Sequence, residues 1–355
     1  MKLFACGRCG NRLYFENTSC TRCDATLGFL PERTQLLALE AEGDDLWQPA
    51  GESTRYRLCA NYSDHAACNW LVQAETGDRY CLACRLNRTI PDLGVPGNLD
   101  LWRTMESEKR RLVYSLLRLG LPVRPRSGDP DGLQFDFLAD TESAEGWREP
   151  VMTGHANGLI TINIAEADPA ERERMRGAMD EPYRTLLGHF RHESGHYYWD
   201  RLIRNSHWLD EFRTVFGDES TDYGAALQRH YDHGAPPDWP ERFVSAYASA
   251  HPWEDWSETW AHYLHIGDTL ETAWQFGLHI RPRAGGSDTA PAAHDFDPFR
   301  AHDIDELLRL WFPLTFALNS LNRSMGHPHA YPFVLSAQAI AKLGFVHRVV
   351  RSARA

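Results

Sequence analysis

Apolar residues recur with two different periods, which divide the chain into an early part containing strands and a later part that is almost entirely helical. Apolar and polar residues alternate over 158–164, which predicts a strand, and 133–138 has the composition of another strand. Apolar residues recur at helical spacing over 100–119. Further helices are predicted over 168–179, 181–205, 222–232, 241–250, 253–276 and 303–322. Asp180 is the predicted N-cap of the helix at 181–205.

Composition sets the broad class of protein. The chain has 355 residues, enough for two or three domains, and 43% of them are hydrophobic, which predicts a globular fold. A net charge of −12 argues against non-specific binding of nucleic acid. No apolar run follows Met1-Lys2 and no stretch could span a bilayer, so we expect a cytoplasmic protein with no membrane partner. A basic run is predicted to be a solvated helix end; its residues are Lys342, His347, Arg348, Arg351 and Arg354.

All eight cysteines lie early in the chain and form two sets of four. The first set has two C-x-x-C pairs and the second set has one; the sets are Cys6, Cys9, Cys20 and Cys23, and Cys59, Cys68, Cys81 and Cys84. Four thiolates complete a closed structural zinc site, and disulfides are disfavoured in a chain without an export signal. Two alternatives concern the second set. His65 could replace Cys59 or Cys68, or Cys81 and Cys84 could form a redox-active pair.

A segment rich in proline and glycine, 91–97, marks the clearest domain boundary. The predicted organisation is a zinc ribbon over 1–30, a linker over 31–54, a second four-cysteine zinc module over 55–95 and a hydrolase domain over 96–355. The strand predicted at 158–164 could pair with an extended substrate or be an ordinary strand of a sheet.

The most specific pattern is the run His192-Glu193-Ser194-Gly195-His196, near the end of the helix predicted over 181–205. Residues four apart lie on one face of a helix, so the two histidines can present their rings to one Zn²⁺. Glu193 lies beside them, where its carboxylate can take a proton from water activated by the metal. Glycine inside a helix costs about 1 kcal/mol relative to alanine, so Gly195 indicates that another element packs closely against the backbone.

A catalytic zinc needs a third protein ligand. In the helix predicted over 253–276, Glu254 and Glu258 lie one turn apart on one face. We predict that Glu254 binds the metal and that Glu258 orients a ligand histidine through its other ring nitrogen. Asp255 and His262 are alternatives for the third ligand.

These two helices together resemble the gluzincin clan of metallopeptidases, in which a Glu-x-x-x-Glu helix follows the His-Glu-x-x-His helix. Tyr247 lies seven residues before Glu254, a spacing similar to the lethal-factor-like branch, where a tyrosine assists at the zinc. With the cysteine-rich segment ahead of it, the chain most resembles a bacterial family of zinc-binding metallopeptidases with an N-terminal zinc ribbon. The resemblance implies His192, His196 and Glu254 as ligands, Glu193 as base and Tyr247 as a transition-state donor.

The predicted fold class is therefore α+β, with N-terminal zinc-ribbon modules followed by a mostly helical, zincin-like metallopeptidase domain that contains a small β-sheet. We expect a zinc-dependent peptidase with one catalytic and two structural zinc ions. It would hydrolyse peptide or isopeptide bonds in a protein or peptide substrate, with Glu193 as the general base. The alternative is a catalytically inactive zinc-ribbon scaffold that binds other proteins.

Overall fold

The chain divides into two compact units, 2–190 and 191–355, and the second also includes Met1. A computed structural model describes residues 1–43, 45–142, 148–149, 151–178, 185–280 and 296–354. Short strands dominate the start of the first unit, and every regular element described in the second is an α-helix or a 3₁₀ turn. The predicted α+β class is confirmed.

The first strands form a hairpin and a five-stranded antiparallel sheet. The hairpin pairs β1 (Phe4–Ala5) with β2 (Arg12–Leu13). The sheet keeps chain order, and its strands are β3 (Thr26–Leu30), β4 (Gln35–Ala41), β5 (Trp47–Pro49), β6 (Tyr56–Leu58) and β7 (Leu71–Gln73), with the short helix α1 (Ala60–Ser63) between the last two. Residues 31–54, predicted as a linker, thus contribute β4 and β5 to the sheet. Burial of Leu36 and Leu39 holds this segment in place.

The first cysteine set brings four sulfur atoms together. The Sγ atoms of Cys6 and Cys23 lie 3.7 Å apart, and those of Cys9 and Cys20 lie 3.6 Å apart. Thiolates at about 2.3 Å from a tetrahedral zinc lie about 3.8 Å from one another, whereas a disulfide bond is about 2.05 Å long. The spacing fits zinc, and all eight cysteines of the chain are free of disulfides.

The second cysteine set, Cys59, Cys68, Cys81 and Cys84, is also gathered around one point, and all four residues are buried. The Sγ atoms of Cys68 and Cys81 lie 3.7 Å apart. His65 is outside the group and packs edge-on against Trp102, with ring centroids 5.6 Å apart. The geometry therefore favours four cysteine ligands over a histidine ligand or an isolated redox pair.

A long helix and a four-stranded sheet follow in the first unit. The helix is α2 (Asn98–Arg118). The sheet has the order β12 (Gly154–Ala156), β13 (Leu159–Asn163), β9 (Gln134–Leu138), β8 (Asn87–Thr89), and β9 runs parallel to both of its neighbours. A separate pair is formed by β10 (Thr141–Glu142) and β11 (Arg148–Glu149), and α3 (Pro169–Ala178) comes next.

Strand β13 is the segment predicted at 158–164, and it has a neighbour on each side. Its backbone is therefore already paired with β12 and β9, which favours the ordinary sheet strand over the substrate-pairing strand. The edge position next to it is held by β12.

The second unit is built on helices. Helix α4 (Leu186–Leu202) crosses the division between the units, and its predicted start at Asp180 lies outside the described residues. The helices after it are α5 (Leu209–Phe216), α6 (Tyr223–His233), α7 (Trp239–Arg242), α8 (Pro252–Gln275), α9 (Ile304–Ser324) and α10 (Ala337–Ser352). The helix predicted over 241–250 is wrong: α7 ends at Arg242, an irregular segment follows over 243–246, and a 3₁₀ turn forms at Tyr247–Ser249. Among the described helices, none is both long and apolar enough to cross a membrane.

Helix α10 confirms the prediction of a solvated basic run only in part. Arg348 and Arg351 are exposed, whereas Lys342 and His347 are 5% and 4% exposed, respectively. The prediction was wrong at Lys342 and His347 because it passed over the apolar residues between the charges, of which Leu343, Val346 and Val350 are buried. Lys342 instead places its Nζ atom 2.6 Å from Oδ2 of Asp255.

The unequal burial of the two cysteine sets predicts an order of chemical reactivity. Cys9 and Cys23 are half-buried, whereas the second set is buried throughout. Brief treatment with a thiol-alkylating reagent in the presence of a mild chelator should label Cys9 and Cys23 first, because accessible thiolates react fastest. Peptide mass spectrometry measures the order, and the denatured chain, labelled at all eight sites, is the control. Labelling that begins at Cys59 or Cys68 would contradict the assignment of the second set as the protected one.

Candidate metal centre

Helix α8 approaches the backbone of α4 most closely at Gly195. A side-chain carbon at this position would lie 2.9 Å from the Cα atom of Ser257, which is too close for any residue but glycine. The approach is fixed by two indole groups: Trp256 donates to the carbonyl oxygen of Gly195 at 2.8 Å, and Trp260 donates to Oγ of Ser194 at 3.1 Å. The close packing predicted at Gly195 is confirmed.

This approach brings a carboxylate of α8 against the two histidines of α4. The Nε2 atoms of His192 and His196 lie 3.2 Å apart, and Oε2 of Glu254 lies 3.0 Å from Nε2 of His192. Oε1 of Glu254 lies 3.5 Å from Nε2 of His196. Ligands at about 2.0–2.1 Å from a tetrahedral zinc are separated by about 3.3 Å. The three side chains therefore have the mutual spacing of a zinc-ligand set.

The burial of Glu254 gives an independent test of this fit. The residue is 1% exposed, and its Oε2 atom is buried without a hydrogen bond among the described residues. Burial raises the pKa of Glu254, but the charges and hydrogen bonds of His196 and His192 lower it by more. The pKa of Glu254 therefore lies well below its ordinary value. A buried, ionised carboxylate whose two oxygens each face an imidazole nitrogen fits a cation better than it fits a packed core.

Glu258 contacts the far side of the His192 ring. Its Oε1 atom lies 2.7 Å from Nδ1 of His192, and its Oε2 atom accepts a hydrogen bond from Ser245 at 2.6 Å. A proton on Nδ1 leaves Nε2 of His192 with a free lone pair toward the centre. Ser245 was not predicted, because it lies in an irregular segment and no spacing in the sequence connects it with Glu258.

The two alternative third ligands are engaged elsewhere. Asp255 pairs with Lys342, and burial raises the pKa of this carboxyl to about 7. Nδ1 of His262 lies 2.7 Å from the hydroxyl of Tyr331, and burial lowers the pKa of His262 to about 4. Neither belongs to the group of ligand atoms formed with His192 and His196.

Glu193 and Tyr247, predicted to be catalytic, are near this group and are not engaged. Glu193 is 9% exposed and, within the described part of the chain, makes no hydrogen bond or ion pair. The ring centroid of Tyr247 lies 6.0 Å from that of His192, and its hydroxyl has no hydrogen-bond partner among the residues that the structure describes. Burial, followed by the charge of Glu254, raises the pKa of Tyr247, so its hydroxyl stays protonated.

A second tyrosine, Tyr223, was not foreseen. Its hydroxyl donates to Oε1 of Glu254 at 2.6 Å. Burial, followed by the charge of Glu254 and, further down, that of Glu193, raises the pKa of Tyr223. Tyr223 lies at the start of α6, 31 residues before Glu254, and no helical or strand period connects the two positions.

Comparison with known proteins agrees with the geometry of this centre. Residues 98–349, more than half of the chain, match a family described as "Putative zinc-binding metallo-peptidase". The chain belongs to this family. Residues 3–95 match a zinc-ribbon domain family, so the resemblance predicted from the sequence is confirmed.

Similar proteins occur in mycobacteria. Uncharacterized proteins from Mycobacterium tuberculosis and Mycobacterium bovis are 44% identical over 354 residues, which cover 99% of this chain and 95% of each relative. No solved structure matches the chain.

The close approach at Gly195 can be tested with two glycines of the same unit. Gly195→Ala should destabilise the protein by about 1–3 kcal/mol, because overpacking against Ser257 outweighs the gain in helix propensity. It should also weaken zinc binding, because Glu254 would be displaced. The matched control is Gly267→Ala in α8, whose added carbon would meet only the ring of Phe299, at 3.4 Å. Thermal denaturation and zinc content measure both effects. An unchanged melting temperature in Gly195→Ala would contradict the constraint.

The ligand assignment predicts an order among the acidic residues of α8. Glu254→Ala should release zinc from the centre, because two imidazoles leave the metal under-coordinated. Glu258→Ala should weaken zinc binding by about 10–100-fold, as expected for a residue that orients a ligand. Zinc competition titrations with a chelator give the order, with Asp255→Ala as a further comparison. If Glu258→Ala or Asp255→Ala releases the metal while Glu254→Ala retains it, the third ligand must be reassigned.

Proposed function

We propose that the protein is a zinc-dependent peptidase. The observation that carries the proposal is the convergence of His192, His196 and Glu254 at zinc-ligand spacing, with the carboxylate of Glu193 next to them in α4. Membership of a zinc-binding metallopeptidase family supports it. We also propose one catalytic and two structural zinc ions, with the structural ions in the two cysteine sets.

The chemistry divides between the metal and two side chains. When bound, zinc supplies a Lewis acid that polarises a carbonyl group and acidifies a water molecule. Glu193 is the general base: it accepts the proton of the attacking water and delivers it to the leaving amine. Its nearness to the centre is supported by its effect on the pKa of Tyr223, whose hydroxyl contacts Glu254.

Tyr247 is proposed as the donor to the developing oxyanion. Its hydroxyl is protonated and has no hydrogen-bond partner among the described residues, so it can donate to a substrate oxygen. A preorganised donor of this kind contributes about 2.7–4 kcal/mol where its removal has been measured.

The substrate class is a protein or peptide with a peptide or isopeptide bond. We propose a cytoplasmic location, with neither membrane nor nucleic acid as partner.

Hydrolysis and metal binding can be separated by two conservative substitutions. Glu193→Gln should retain zinc and lose hydrolysis, because the amide keeps the shape of the side chain and cannot accept the proton. Tyr247→Phe should retain zinc and lower turnover by about 10²–10³-fold. A quenched-fluorescent peptide library and zinc analysis measure the two properties. His196→Ala, which should lose the zinc of this centre alone, is the reference.

Two outcomes would count against the proposal. Normal hydrolysis by Glu193→Gln would exclude Glu193 as the base. A wild-type protein that carries zinc in the centre and cleaves no peptide of a broad library would favour the inactive protein-binding scaffold.

A further inference from the structure

We propose that Tyr223 is a positioning residue that aims the carboxylate of Glu254 at the metal and thereby sets how tightly the centre holds zinc. The inference rests on the proposed function, since it takes Glu254 as a zinc ligand. Tyr223 itself has no role as a ligand or base.

The two oxygens of Glu254 have different surroundings. Oε1 accepts the hydroxyl of Tyr223 at 2.6 Å, whereas Oε2 is buried without a hydrogen bond among the described residues. Oε2 is also the oxygen nearer to a histidine nitrogen, at 3.0 Å from Nε2 of His192. A donor on one oxygen fixes the rotation of the carboxylate about its final bond. Tyr223 thus directs the other oxygen toward His192 and keeps its own acceptor, Oε1, at 3.5 Å from Nε2 of His196.

The ring of Tyr223 is held by the first turn of α8. It packs edge-on against His251 and Trp253, with centroid distances of 5.2 and 5.7 Å. His251 caps α8 by accepting from the backbone N–H of Trp253, and the ring of Trp253 lies 4.2 Å from that of His196. The direction of the Tyr223 hydroxyl is therefore fixed by the same turn of α8 that carries Glu254.

The helix that carries Tyr223 has little other anchorage. In α6, Ala226 is the only residue that is buried, and Tyr223 itself is 37% exposed. Two glycines with positive φ, Gly217 and Gly234, lie on either side of the helix. A segment with few buried apolar contacts has low local stability. The contact of Tyr223 with Glu254 is thus the main polar link between α6 and the centre.

Tyr223 and Tyr247 therefore have distinguishable roles. The hydroxyl of Tyr223 is engaged by Glu254, whereas the ring of Tyr247 lies beside that of His192 and its hydroxyl is proposed to contact the substrate. Loss of the first hydroxyl should weaken zinc binding, and loss of the second should lower turnover of the zinc-loaded protein.

The test is zinc affinity measured by competition with a chromophoric chelator, on the full-length protein. The zinc of this centre is identified as the ion that His196→Ala lacks. Tyr223→Phe should raise the dissociation constant of that ion by about 10–100-fold and leave the cysteine-bound zinc unchanged. The matched control is Tyr231→Phe, on the same helix, where the side chain is 66% exposed; it should bind zinc as the wild type does.

A double mutant separates positioning from a general effect on folding. If Tyr223 acts through Glu254, then adding Tyr223→Phe to Glu254→Asp, whose shorter side chain keeps a carboxylate but withdraws it from the Tyr223 hydroxyl, should cause little further loss of zinc affinity, whereas independent effects would add. Phenylalanine keeps the ring contacts with His251 and Trp253, so the variant should fold. If the Tyr223→Phe protein does not fold, Tyr223→Leu, which also lacks the hydroxyl, replaces it in both measurements.

The outcomes for the inference and for the proposed function can be told apart. A Tyr223→Phe protein with wild-type zinc affinity overturns the inference while the centre stands. Additive losses in the double mutant also overturn it. If His196→Ala keeps its full zinc content, the metal centre itself is wrong, and the proposed function fails with it.

Discussion

The centre depends on the absence of a side chain at residue 195. Because Gly195 has no Cβ atom, α8 can lie against the backbone of α4 at Ser257, and two buried tryptophans fix that approach with hydrogen bonds to Gly195 and Ser194. The proposed ligands come from both helices, so the distances between them depend on this contact. Without this contact, the two histidines would supply only two of the three proposed protein ligands. Glu254 alone would be a costly buried carboxylate.

The parts of the site that could be predicted from the sequence are those encoded within one helix. His192, Glu193 and His196 need only the helical repeat, and Glu254 and Glu258 are linked in the same way. Ser245, Tyr223 and Lys342 reach the site from segments with no fixed spacing to it, so tertiary packing alone places them. Tertiary packing also limits how much of the fold could be predicted from the sequence. Within 31–54, β4 has seven residues but no strict alternation of apolar and polar positions, and β5 has only three residues, so pairing with neighbouring strands defines both.

The second cysteine set lies close to a buried cationic side chain. Four thiolates and one Zn²⁺ carry a net negative charge, which is costly when buried. In the second set this charge has a nearby partner, because Arg110 is 7% exposed and the charges of Cys68 and Cys84 help to raise its pKa, although burial lowers it. Arg110 belongs to α2, within the part of the chain that matches the peptidase family. The second cysteine set is therefore electrostatically matched to the helix that follows it.

The buried pair of Asp255 and Lys342 links the residue next to Glu254 to a helix that is almost ninety positions further along the chain. A buried carboxylate that loses its cation costs several kcal/mol, so the acidic turn of α8 is unfavourable until α10 is in place. During synthesis, both histidines and Glu254 leave the ribosome well before Lys342 does. The packing around the residue next to Glu254 is therefore completed by the last helix described in the chain, whereas each cysteine set is complete by residue 84.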